Sequence, residues 1–192
     1  MSTSTEIIFN TVANSITSIS AVIVAGVAIF GLVGWRKQMM GKTNYEIARK
    51  YLKASLKLRD AIKFVRNPFI PLGEMQSALE VNGFKAEEYS DNQKMNRAVY
   101  SVRWNKVREA WTNLEAELLE AEVSWGSEAT KAQLNLDALV RELYSGLSLY
   151  LDGRSSDSTD SIIYNIGVND EFSKKVDGAI KEIEIFLRPH LK

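Results

Sequence analysis

Few residue types here could carry chemistry, and their spacing limits what each can do. A hydrolytic triad needs a base, and the one histidine, His190, follows Pro189 near the C-terminus, where chain ends commonly fray. The chain has no cysteine, which excludes disulfides, thiolate metal sites and a Cys nucleophile. Glu115, Glu117, Glu120 and Glu122 crowd together, but carboxylate metal sites in helical proteins add Glu-x-x-His pairs, and none occurs. A solvated helix face is the expectation there. The run DGRSSDSTDS, residues 152–161, has carboxylates without calcium-loop spacing or its closing Glu, and reads as a Ser/Asp-rich loop. Neither Gly-x-x-x-x-Gly-Lys-Ser/Thr nor Gly-x-Gly-x-x-Gly occurs to cradle a phosphate. No enzyme, metal site or cofactor is expected.

Charge carries more information. The 192 residues sum to zero net charge, yet residues 36–66 hold ten Lys/Arg against Glu46 and Asp60, a net of +8. Residues 67–192 hold fourteen basic and twenty-one acidic groups, a net of −7. Lys50, Lys53 and Lys57 share one helical face. Beside a membrane that face would be drawn to anionic headgroups, each cation contributing about 1 kcal/mol near the surface. The attraction fades within a Debye length of roughly 8–10 Å. The same cations could instead meet the acidic remainder of the chain, in one protomer or between protomers. Nucleic acid is the least favoured partner, because no aromatic residues interleave the cations. Trp104, Trp111 and Trp125, at heptad spacing, read as core.

The cations begin where a solvent boundary is expected. Ile7–Trp35 contains no Asp, Glu, Lys or Arg, and Ile16–Trp35 has the roughly 20 residues a helix needs to cross about 30 Å of hydrocarbon. The start, MSTSTE, lacks the basic residues of a secretory signal. Residues 1–35 are therefore expected to be a single transmembrane anchor. Arg36, Lys37 and Lys42 follow it and no cation precedes it, so the N-terminus is expected outside and residues 36–192 in the cytoplasm. Trp35 stands at headgroup depth with Arg36, Lys37 and Lys42 as the membrane interface. Asn10, Asn14, Thr17, Ala21, Ala25 and Ala28 recur at steps of four and three, a small and polar stripe suited to close helix approach. Association through Asn14, Thr17, Ala21, Ala25 and Ala28 is one reading; a harmless outer turn in the headgroups is the other.

Beyond the anchor, periodicity predicts helices throughout. A basic juxtamembrane helix, 43–67, opens with a Thr43/Glu46 capping box, buries Ile47, Tyr51, Ala54, Leu58, Ile62 and Val65, and stops at Asn67-Pro68. A short helix follows, ending near Gly83. Tyr100, Trp104, Val107, Trp111, Leu114, Leu118, Ala121 and Trp125 alternate steps of four and three, a heptad-type seam on a helix of about 35 residues. Gly126 and Ser127 offer a stop and a fresh cap. Leu136, Val140, Leu143, Leu147 and Tyr150 repeat the seam, and Phe172, Val176, Ala179, Ile183 and Phe186 mark a last helix. Only IIYNIGV, 162–168, hints at a strand. The expectation is all-α: a transmembrane helix followed by a cytoplasmic antiparallel helical bundle with long coiled-coil-like helices. Polar Arg59, Asp60, Arg66 and Asn67 beside the apolar face could form an internal ion-pair and cap network or a partner-binding edge.

GKTNYEIARKYLKASLKLRDAIKFVRNPFI (41–70), with LLEAEVSWG (118–126), resembles a group of uncharacterised bacterial membrane-anchored proteins with one N-terminal span, a basic helix, an Arg-Asn-Pro-Phe stop and a Trp-bearing helix. The resemblance covers residues 35–126. It implies a bacterial inner-membrane location and a shared helical fold, and it transfers no catalytic residue. The expected function is a membrane-anchored, non-enzymatic, oligomeric scaffold or accessory subunit. Its partners would be anionic inner-leaflet lipids, other copies of itself and an unidentified protein. The alternative is an effector of bacterial conflict or phage defence whose spans assemble to permeabilise the inner membrane.

Overall fold

The structure is a computed structural model describing residues 2–83, 92–164, 167 and 170–191; the side chains of 2–8, 11–13 and 15–18 lie outside that description. It is all-helical, with no strand among the described residues. Two compact units divide the chain, Met1–Asn44 and Tyr45–Lys192.

Helix α1 is assigned over Ser2–Val65, and the first unit consists of its N-terminal part. Thr43 therefore starts no helix, contrary to the capping-box expectation. Its Oγ1 instead donates to the carbonyl of Met39 one turn back at 3.1 Å, a bond open to a hydroxyl inside a continuing helix.

In the second unit the main core is built from one stripe on each of four helices. From α1 come Ala48, Tyr51, Ala54, Leu58, Ile62 and Val65, spaced three and four apart so that they share a face, with Ile47 beside Ala48. Helix α2 (Leu72–Val81) follows the Pro68 break, and Gly83 beyond it takes φ +73°, the left-handed conformation glycine adopts without a Cβ clash. Helix α3 (Asn92–Trp125) contributes Val107, Leu114, Leu118 and Ala121, with Trp104, Trp111 and Trp125 half-buried along the same seam. Gly126, φ +73°, ends it. Helix α4 (Glu128–Leu151) adds Ala129, Leu136, Leu139, Val140 and Leu143. Ser127 precedes it in helical geometry with no side-chain cap bond, so its expected capping role is not taken up.

Direct pairs fix how α3 and α4 run. Trp111 meets Asp137, Trp104 lies against Tyr144 and Tyr100 against Tyr150, so the partner number rises on α4 as it falls on α3. The two helices are antiparallel neighbours.

The Ser/Asp-rich stretch is only partly a loop. Ser156 accepts from the Thr159 amide and caps a short helix, α5 (Asp157–Ile163), with Thr159 and Ile163 buried. Gly146 on α4 makes room for it: a Cβ there would stand 3.2 Å from Ile162 Cγ2. Of IIYNIGV, Ile162 and Ile163 are helical, while Asn165, Ile166 and Val168 lie outside the described residues. Asp170 caps α6 (Glu171–Leu187) by accepting from the Phe172 amide, and Phe172, Val176, Ala179, Ile180, Ile183 and Leu187 face the core. A 3-10 turn, Arg188–Leu191, closes the described chain.

Candidate functional site

Two regions are the candidates: the exposed part of α1 and a pair of buried arginines where α1 ends.

In the first unit, Ile19, Val22, Ile23, Val24, Val27, Ile29, Phe30, Leu32, Val33 and Trp35 are all exposed, Phe30 by 82%. Covering one such side chain stabilises by about 1.5–3 kcal/mol. Ten of them lie along one helix. Among the described residues this is the one helix long and apolar enough to cross a membrane. Asn10, Asn14, Ala21, Ala25 and Ala28 are exposed, and the Thr17 side chain lies outside the described residues. Arg36, Lys37 and Lys42 are exposed just beyond.

In the second unit, Arg66 has 1% of its side chain exposed, and its guanidinium is fully engaged. Nη1 donates to Asp170 Oδ2 at 2.5 Å and to Ser173 Oγ at 2.8 Å. Nη2 donates to Asp170 Oδ1 and to the carbonyls of Ser161 and Tyr164, and Nε donates to the Ile162 carbonyl. The plane lies 4.6 Å over the Phe172 ring. One side chain thus ties the end of α1 to the last turn of α5 and the cap of α6. Burial alone would raise the Asp170 carboxyl pKa; hydrogen bonds from Arg66 and Ser173, with the Arg66 charge, outweigh it and hold the group below its ordinary value.

Arg103 mirrors this arrangement on the other side of the break. It donates through Nε and Nη2 to both carboxylate oxygens of Glu74, through Nη1 to the Asn67 carbonyl and through Nη2 to that of Phe69. The Phe64 ring lies 5.0 Å below it. Planar, multiply bonded sites of this kind suit arginine over lysine.

Of the residues singled out by sequence, Arg66 and Asn67 stand at these clamps. The Asn67 side chain accepts from the Phe69 amide, capping the turn. Arg59 and Asp60 pair with each other on the surface and touch none of these partners, so the four do not make one network. Lys50 reaches Glu120 at 3.5 Å, whereas Lys53 and Lys57 are exposed with no carboxylate partner among the described residues.

Two polar residues inside the core interrupt stripes whose periodicity reads as apolar. Arg103 sits on the α3 stripe between Tyr100 and Val107. Gln133 sits on the α4 stripe between Ala129 and Leu136, where it accepts from the Tyr51 hydroxyl and donates to Glu115 and Asp137. Trp111 Nε1 also donates to Asp137. Burial raises the Asp137 carboxyl pKa, and those two hydrogen bonds oppose it. The detectable signal was a polar residue at an apolar position in each seam. His190, expected at a frayed end, stacks on Trp125 at 4.1 Å, and burial holds its pKa below the ordinary value.

Among the described residues no group of His, Cys, Asp and Glu is arranged to hold a metal. No protein-family model, curated protein or solved structure matches the chain.

Proposed function

We propose that the protein is a membrane-anchored helical scaffold or accessory subunit that carries out no catalysis. The observation that carries this reading is the row of exposed apolar side chains on α1, directly followed by Arg36, Lys37 and Lys42. Such a row is stable in lipid and costly in water. The cation order supports the N-terminus outside and residues 36–192 cytoplasmic, in a bacterial inner membrane as the resemblance of residues 35–126 implies. Trp35 lies at the interface, and the exposed alanines at 21, 25 and 28 are the face on which copies associate. The second unit is an antiparallel bundle, with the α3 and α4 seams packed in the manner of a coiled coil, and it presents the surface that a protein partner reads.

The competing reading is an effector whose assembled spans permeabilise the membrane. It draws on the same small-residue face. Inducing the full chain in bacteria and following membrane potential and growth separates the two. Polarised, growing cells are expected of a scaffold, and the native partner should co-purify in mild detergent. Depolarisation that disappears when residues 1–35 are removed would establish the effector instead.

A further inference from the structure

Helices α1 and α3 present two exposed faces of opposite character at the same level of the second unit. On α1, Arg49, Lys53 and Lys57 recur every four residues, all exposed and without a carboxylate partner among the described residues. On α3, opposite its core seam, Leu119 and Val123 are 64% and 90% exposed. Thr112 and Ala116 continue their line at steps of four and three, a second heptad-like row on the outside of the helix. Exposed Glu109 and Glu120 flank that row on one side and exposed Glu122 on the other.

The register of α1 against α3 sets their heights. Lys50 pairs with Glu120, and Lys106 lies 4.1 Å over the Phe64 ring, so α3 descends as α1 rises. Counting from the Lys50–Glu120 pair, Arg49 is level with Ala121 and Lys53 with Glu117. Leu119, Glu122 and Val123 therefore lie within about two turns of both cations. A two-fold axis parallel to these helices would set the cations of one copy opposite the acid-flanked apolar row of another, twice over. That is the self-complementary contact a symmetric dimer needs.

We propose that this unit self-associates through the α1 basic face of one copy and the Leu119–Val123 row of α3 on the other. The proposal deepens the oligomeric scaffold reading and rests on it. Leu119 and Val123 supply the apolar centre, while Arg49, Lys53 and Lys57 against Glu109 and Glu122 set orientation and register.

The absence of native cysteine makes the test clean. Two differently tagged full-length copies, one Lys53→Cys and one Glu122→Cys, are co-expressed, and their membranes are treated with a short bis-maleimide. An Ala25→Cys pair reports span association separately. The expected result is a mixed-tag Lys53–Glu122 product that falls at least fivefold with Arg49→Glu and Lys57→Glu on the first copy. Adding Glu109→Lys to the second should restore it in part. A strong Ala25 product without the Lys53–Glu122 product would overturn this contact and leave the oligomeric reading standing. Loss of both products would overturn both. A Lys53–Glu122 product indifferent to charge reversal would overturn the electrostatic basis.

Discussion

Replacing Arg66 with Met would leave the buried Asp170 carboxylate without its cation and four acceptors without a donor. Breaking a buried pair from one side costs about 3–5 kcal/mol, so urea unfolding of Arg66→Met should move to a much lower midpoint. Arg66→Lys should recover only part of the loss, because an ammonium cannot reach carboxylate, hydroxyl and three carbonyls from one plane. The same pair makes a pH prediction. With its folded pKa below the unfolded one, Asp170 contributes stability above about pH 4 that is lost as pH falls through the folded value. Asp170→Asn should therefore be less stable than the parent at neutral pH, and the gap should close on acidification. Asp137 has the opposite sign. Its raised pKa means stability declines as pH rises from the unfolded to the folded value, leaving a penalty at neutral pH. Asp137→Asn keeps an oxygen to accept from Gln133 and Trp111, and should match or exceed the parent at pH 7. An unfolding free energy lower than the parent's by more than about 1 kcal/mol would sink that assignment.

Among the elements, α5 depends most on its neighbours. Seven residues are too few for an isolated helix. Its persistence rests on the Ser156 cap, the burial of Thr159 and Ile163, and the carbonyls held by Arg66. Gly146→Val would place a branched side chain where Ile162 packs, and should cost about 1–3 kcal/mol while detaching α5, seen as faster amide exchange over Asp157–Ile163. This explains why the Ser/Asp run read as a loop: its composition contains the cap, but the partner that fixes the helix lies 95 residues away in sequence. The stripes of α3, α4 and α6 were legible because each is periodic and buries one face. Arg103 and Gln133 occupy stripe positions with polar groups, and their partners come from other helices, so only the mismatch itself was visible. Thr43 failed as a start signal because a Thr with Glu three residues on fits a helix interior as well as its first turn. In the first unit, Ala21→Leu with Ala25→Leu should thicken the small-residue face and weaken cross-linking between spans; an unchanged pattern would remove that face as the contact.

For the whole molecule, the two units differ in what they do with apolar residues. The second hides its large aliphatic seams among its own helices. The first leaves Ile19 to Trp35 uncovered. Under the proposed anchoring the two units meet different solvents, and the charge step from Trp35 to Arg36 marks the change between them. That step was plain in the sequence, since it needs only composition and length. Anchoring through α1 is tested most directly by alkaline carbonate extraction of bacterial membranes. The full chain should remain in the membrane pellet at high pH, while a chain lacking residues 1–35 should appear in the soluble fraction. Release of the full chain into the supernatant would contradict membrane anchoring through α1.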